Sequence, residues 1–160
     1  MRASLALLVL LAICEATASA AGTCPEAELR QDADVPVQFN DLDGLHRSYL
    51  RFGRNCPRTV YVDLAENYAD RIPKVLVERW SDLERLDVLC RKEPKFRRFI
   101  LTSIDATGNY NALTRLAALS APCEGKTKLL CEDIHRQAVA ALREADSVAP
   151  SASVLDGGTR

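Results

Sequence analysis

The stretch from Thr59 to Ile104 constrains the fold most, because apolar residues recur in it at helical spacing over almost its whole length. Its three stripes are Ala65, Tyr68, Ile72, Leu76 and Trp80; Leu83, Leu86, Leu89 and Cys90; and Phe96, Phe99, Ile100 and Ile104. Ser81 and Glu84 have the spacing of a capping box, which predicts a helix start there. Pro73 removes a backbone donor, so we expect a kink or break near it, with Asp70 capping the second piece.

Helical patterns also lie on both sides of this stretch. They predict a short helix after Thr23, a longer one from Asn40 to Gly53, one capped by Thr107 or Asn109, and a last helix after Cys123. Only residues 59–63 could form a strand. We therefore predict an all-α fold, a compact bundle of about six or seven short antiparallel helices spanning residues 21–146. Residues 147–160 are rich in Ser, Ala and Gly, which predicts a disordered tail.

The first twenty residues have the pattern of a cleaved signal peptide. Arg2 precedes an apolar run from Leu5 to Ile13, and residues 18–20 form a small-residue cleavage site. No later segment approaches the ~18 apolar residues of a membrane span. We therefore expect an exported protein, periplasmic or secreted, that does not insert into the membrane after signal removal.

Five cysteines remain after cleavage, and an oxidising compartment favours disulfides between them. Cys123 and Cys131 flank the start of the last helix and form the first predicted pair. Cys56 and Cys90 form the second, which leaves Cys24 as the odd thiol near the terminus. Zinc is the competing interpretation, but there is no CxxC pattern, so we expect no metal.

Catalytic patterns are not evident in the sequence. There is no GxSxG, HExxH or P-loop motif, and neither His46 nor His135 has an identifiable carboxylate partner. We therefore predict no enzyme activity, no catalytic residues and no cofactor.

Two groups of basic residues lie in separate parts of the chain. The first group is Arg47, Arg51, Arg54 and Arg58, and the second is Arg91, Lys92, Lys95, Arg97 and Arg98. Either group could face an acidic partner or simply be solvated. The net charge of −1 argues against nucleic acid.

One set of residues resembles an uncharacterised family of small exported proteobacterial helical proteins. It comprises Tyr49–Gly53, Cys56, Ala65–Asp70, Trp80, Pro94–Phe96, Ile104–Thr107, Cys123, Leu130 and Cys131. The resemblance covers residues 42–142 and departs from the family at Pro73. At a coarser level, the signal peptide, size, helical content and disulfides are similar in architecture to the Rap1a/Tai-type type VI secretion immunity proteins. That similarity implies a periplasmic inhibitor of a cell-wall enzyme.

The expected function is binding, because the sequence predicts a rigid stapled scaffold without catalytic groups. Loops on rigid scaffolds commonly carry binding residues. The predicted partner-binding site is the loop of Asp105, Thr107, Gly108, Asn109 and Tyr110, and its interpretation as plain helix capping stays open. The alternatives are a helical carrier of a small apolar ligand and a structural envelope protein. We expect a protein partner, although the sequence fixes neither its identity nor the oligomeric state.

Overall fold

A computed structural model describes residues 23–32 and 34–148. The predicted signal peptide and most of the predicted tail lie outside these residues. The predicted tail boundary is wrong at its start, because the last helix continues through Ser147 to Val148.

The fold is an all-α bundle stapled by two disulfides, as predicted. The described residues form seven α-helices and no strand: α1 (Glu26–Gln31), α2 (Leu42–Ser48), α3 (Val62–Glu78), α4 (Leu83–Lys92), α5 (Pro94–Thr102), α6 (Tyr110–Ser120) and α7 (Lys128–Val148). A π-helical turn, Tyr49–Gly53, extends α2. Residues 59–63, the candidate strand, instead form a turn and the first residues of α3.

Helix α3 runs through Pro73 without a break, so of the predicted kink or break the break does not occur. The proline ring is buried against the core, and this packing compensates for the missing N–H. Because proline has no N–H, Pro73 cannot donate the helical hydrogen bond to the carbonyl of Ala69, four residues earlier. Asp70 accordingly caps nothing and forms an ion pair with Lys74 instead.

Two of the helix starts have side-chain caps. Asp41 accepts the Gly44 N–H at the start of α2, and Asn109 accepts the Ala112 N–H at the start of α6. The predicted capping box at Ser81 does not form, because residues 80–82 make a 3₁₀ turn and α4 begins only at Leu83. The spacing of apolar residues therefore predicted α4 correctly, whereas the capping-box pattern at Ser81 placed the start of α4 too early.

The α2 helix and its π-helical turn lie alongside α5 and run in the same direction. His46 stacks edge-on against Phe96, with 4.8 Å between ring centroids, and Tyr49 lies 5.0 Å from Phe96 and 5.1 Å from Phe99. A Cβ on Gly53 would come within 2.6 Å of the Phe99 ring, so only glycine permits this approach. We call the row of His46, Tyr49, Phe96 and Phe99 rings the aromatic seam. Each aromatic pair in it contributes roughly 0.5–1.5 kcal/mol of stability beyond the burial of its area, which makes the aromatic seam a rigid part of the core.

The disulfides confirm one predicted pair and correct the other. The short-loop disulfide joins Cys123 to Cys131, as predicted. The long-loop disulfide joins Cys24 to Cys56, so the predicted bond between Cys56 and Cys90 is wrong. Cys90 is instead a free thiol on the inner face of α4, only 2% exposed. The error arose because α1 folds back over the start of α3 and brings Cys24 to Cys56, a long-range contact with no sequence signal.

Candidate functional site

The predicted binding loop, Asp105–Tyr110, joins α5 to α6 and folds around the Asp105 carboxylate. One carboxylate oxygen accepts hydrogen bonds from the Thr107 N–H (3.0 Å) and the Thr107 hydroxyl (2.6 Å). The Gly108 N–H donates to the Asp105 carbonyl at 3.1 Å. This self-bonded turn restricts the loop backbone to one conformation.

Arg58 anchors the loop from outside. Its guanidinium donates to the Thr102 carbonyl at 2.8 Å, to the hydroxyls of Thr102 and Ser103, and to the second Asp105 carboxylate oxygen at 3.1 Å. The Thr102 carbonyl lies in the last turn of α5, where carbonyls lack helical donors, and a cation there is favoured. One side chain therefore fixes both the end of α5 and the start of the loop. Sequence reasoning missed this role, because Arg58 lies more than forty residues before its partners.

The far side of the loop packs on α3. A Cβ on Gly108 would lie 2.6 Å from the Ala69 carbonyl oxygen, the oxygen that Pro73 leaves without its helical donor. Asn109 then caps α6. Gly108 and Asn109 thus have structural roles, and the capping interpretation is correct for Asn109.

Two of the five predicted residues point outwards. Thr107 is exposed, and Tyr110 is 50% exposed, with its hydroxyl donating to the Asp146 carboxylate of α7 at 3.1 Å. This hydrogen bond raises the pKa of Tyr110. Thr107 and Tyr110 are therefore exposed on a loop in which Asp105, Gly108 and Asn109 make contacts inside the protein.

A polar cleft of about 140 Å³ lies beside the loop, between α3 and α6. Its charged and amide groups are Lys74, Glu78, Asn109, Asn111 and Arg115. Lys74 is paired with Asp70, whereas the side chain of Arg115 has no partner among the described residues. The cleft extends the exposed polar surface next to Tyr110.

A second groove of about 270 Å³ lies at the other end of α3, beside Leu29 of α1. Leu29 and residues 60–64 line it, and Val60 and Val62 remain 68% and 55% exposed. The long-loop disulfide holds α1 over this groove.

The two histidines lie in separate places and have different neighbours. His46 Nε2 lies 3.1 Å from the Glu93 carboxylate, and His135 Nδ1 lies 3.0 Å from the Ala117 carbonyl, next to the short-loop disulfide. The carboxylate partner of His46 is 47 residues away, which is why the sequence did not identify it. No group of three or more His, Cys, Asp or Glu side chains among the described residues could hold a metal ion.

Burial changes the acidity of two groups near the aromatic seam. Burial, reinforced by the Glu93 charge, raises the pKa of Tyr49 to about 12. The Tyr49 hydroxyl lies near Glu93 but makes no hydrogen bond of good geometry. Burial likewise raises the pKa of the Cys90 thiol to about 12, against the opposing Arg97 charge. Both groups are neutral at ordinary pH, so Cys90 is not a reactive thiolate in the native state.

The fold and its two disulfides define a class, the disulfide-stapled all-helical proteins. No protein family, curated protein or solved structure matches the chain. In the part of the chain that the structure describes, no helix combines the length and apolar character needed to cross a membrane.

Proposed function

We propose that this chain is an exported helical module that binds another protein through the Asp105–Tyr110 loop. The particular form that fits its size and architecture is an immunity protein or inhibitor of an envelope-targeting enzyme. In that form, the loop enters or covers a cleft of the partner. The module itself performs no catalysis in this proposal.

The rigidity of the loop supports the proposal most strongly. Asp105 is held by Arg58 and by its own turn, Gly108 is packed on α3 and Asn109 caps α6, while Thr107 and Tyr110 stay exposed. A loop that is already ordered loses little conformational entropy on binding, which raises affinity. Tyrosine is also a frequent hot-spot residue in protein interfaces, because it combines a large ring with a hydroxyl.

The test is capture of partners on the immobilised mature protein, using envelope extracts of the source cells and the products of neighbouring genes. We expect one stoichiometric protein partner whose binding is lost with Tyr110→Ala. Leu129→Ala is the matched control, because Leu129 is 75% exposed on a different surface, at the start of α7. Failure to recover any protein, or equal loss with both variants, would refute the proposed loop site.

The second candidate function is carriage of a small apolar ligand, which the groove under α1 favours. Its volume of about 270 Å³ is close to the lower limit of ~300 Å³ for ligand pockets, and valine side chains stand exposed at its edge. Native mass spectrometry of the protein purified from its source distinguishes the two functions. A bound small molecule that is displaced by Val62→Asp supports carriage, and a mass equal to the bare polypeptide counts against it.

A further inference from the structure

The two groups of basic residues that are separate in the sequence lie on neighbouring segments of the fold. In the first group, Arg47 lies on α2, Arg51 on the π-helical turn, and Arg54 and Arg58 just after that turn. The second group lies at the end of α4 and on α5. The aromatic seam joins these elements side by side.

The contacts along the seam set the register of the two groups. His46 contacts Glu93 at the α4–α5 junction, and Arg47 and Lys92 are the sequence neighbours of this contacting pair. Gly53 lies against the Phe99 ring, and Arg54 and Arg98 are the sequence neighbours of this second contacting pair. The Arg54 charge also lies near enough to the Tyr49 hydroxyl to act against the rise in its pKa.

Five cations on these segments are exposed, and their side chains form no ion pair or hydrogen bond with another described residue. We name them the α5 basic face: Arg47, Arg54, Lys92, Lys95 and Arg98. Their neighbours Arg51, Arg91 and Arg97 are paired with Glu28, Asp87 and Asp133. Elsewhere in the described residues, only Arg115, Lys126 and Arg143 are equally unpaired, and no two of them are close in sequence.

The charge of this face differs from that of the whole chain. Its acidic neighbour at the seam is Glu93, which His46 already engages. The chain as a whole carries a net charge of −1, so the rest of the molecule is net negative. A local excess of positive charge on a small protein attracts an approaching negatively charged partner to that region.

We propose that the α5 basic face docks an acidic surface of the partner protein. The inference rests on the proposed function and adds the chemistry of the partner. The face leads directly into the binding loop, since α5 ends at Thr102, where Arg58 connects it to Asp105. An acidic partner would meet the cations first, and the loop would then be positioned for contact.

A protein fits this face better than a nucleic acid or a membrane. A protein surface can present a limited acidic patch to the five cations and leave the negative remainder of this chain outside the contact. An extended polyanion or a flat anionic bilayer would approach more of that remainder and be repelled. Charge complementarity across protein interfaces mainly raises the association rate and selects the partner.

The experiment compares two double variants that change the net charge equally. Lys95→Glu/Arg98→Glu reverses two charges of the α5 basic face, and Lys126→Glu/Arg143→Glu reverses two unpaired charges elsewhere. The probe is an immobilised peptide of alternating glutamate and aspartate, measured at low and physiological salt. We expect the first variant to bind about tenfold more weakly and the second to bind as the wild type does. Salt should weaken wild-type binding more than binding of the first variant, because fewer charges remain to be screened.

Three outcomes would overturn the inference. They are equal loss with both double variants, binding to the acidic peptide that does not respond to salt, and tighter binding to an oligonucleotide or to phosphatidylglycerol vesicles than to the peptide. Circular dichroism checks the fold, and Lys95→Gln/Arg98→Gln repeats the test with a milder change if the reversal unfolds the chain. Capture of a stoichiometric partner that ignores these substitutions would leave the proposed function standing and remove only this inference.

Discussion

Replacing Arg58 by alanine should loosen the Asp105–Tyr110 loop and destabilise the fold. The change removes an ion pair to Asp105 together with hydrogen bonds to the Thr102 carbonyl and two hydroxyls. The Arg58 and Asp105 side chains are about one third exposed, so solvent screens the pair and its share is at most ~1 kcal/mol. The hydrogen bonds add ~0.5–1.5 kcal/mol each, but they share one guanidinium and do not sum. We expect the free energy of unfolding to fall by ~1.5–3 kcal/mol.

Urea denaturation measures this loss, and amide hydrogen exchange locates it. The amides of Thr107 and Gly108 should exchange faster in Arg58→Ala, because the Asp105 carboxylate loses its external anchor. Arg115→Ala is the control, since it removes an arginine with no side-chain partner. Arg58→Lys should recover less than half of the loss, because an ammonium group lacks the planar set of donors. A change in stability within ~0.5 kcal/mol and unchanged loop exchange would refute the anchoring role of Arg58.

Three further predictions concern packing, the disulfides and pH. Gly108→Ala should lower the free energy of unfolding by ~1–3 kcal/mol, because the new methyl would overlap the Ala69 carbonyl, and thermal denaturation would show it. Replacing both cysteines of a disulfide by serine should lower the free energy of unfolding by ~3.7 kcal/mol for the long-loop disulfide and by ~2.5 kcal/mol for the short-loop disulfide. The difference arises because their sequence separations are 32 and 8. Equal losses in chemical denaturation would contradict this ordering. The pKa of Cys90 rises from 9.0 to about 12 on folding, so its contribution to stability is present below pH 9 and is lost as pH rises towards 12. Cys90→Ala should therefore flatten the alkaline fall in unfolding free energy, and an unchanged slope would count against burial as the cause.

Local patterns in the sequence predicted the helices well. Apolar spacing placed α3, α4, α5 and α7, and one of the two proposed caps of α6, Asn109, is the actual cap. Such signals work because a helix depends mainly on residues three or four positions apart. The Ser81 capping box failed because the chain makes a 3₁₀ turn at this point before α4 begins.

Long-range packing was not visible in the sequence. The bond of Cys24 to Cys56 depends on α1 folding back, and the anchoring by Arg58 depends on where α5 ends. Pro73 shows the same limit, since its effect on α3 was decided by burial of the ring. The turn residues of the sequence located the Asp105–Tyr110 loop, but only the structure shows that Thr107 and Tyr110 are its exposed members.

The buried position of Cys90 also has a consequence for how the disulfides form. An unpaired thiol in an unfolded chain attacks disulfides and exchanges partners with them. During folding, Cys90 can therefore release a wrongly paired cysteine and let the chain try another pairing. Once α4 packs and the thiol is buried and protonated, this exchange stops. Burial of Cys90 thus protects the two native disulfides from exchange with the chain's own free thiol.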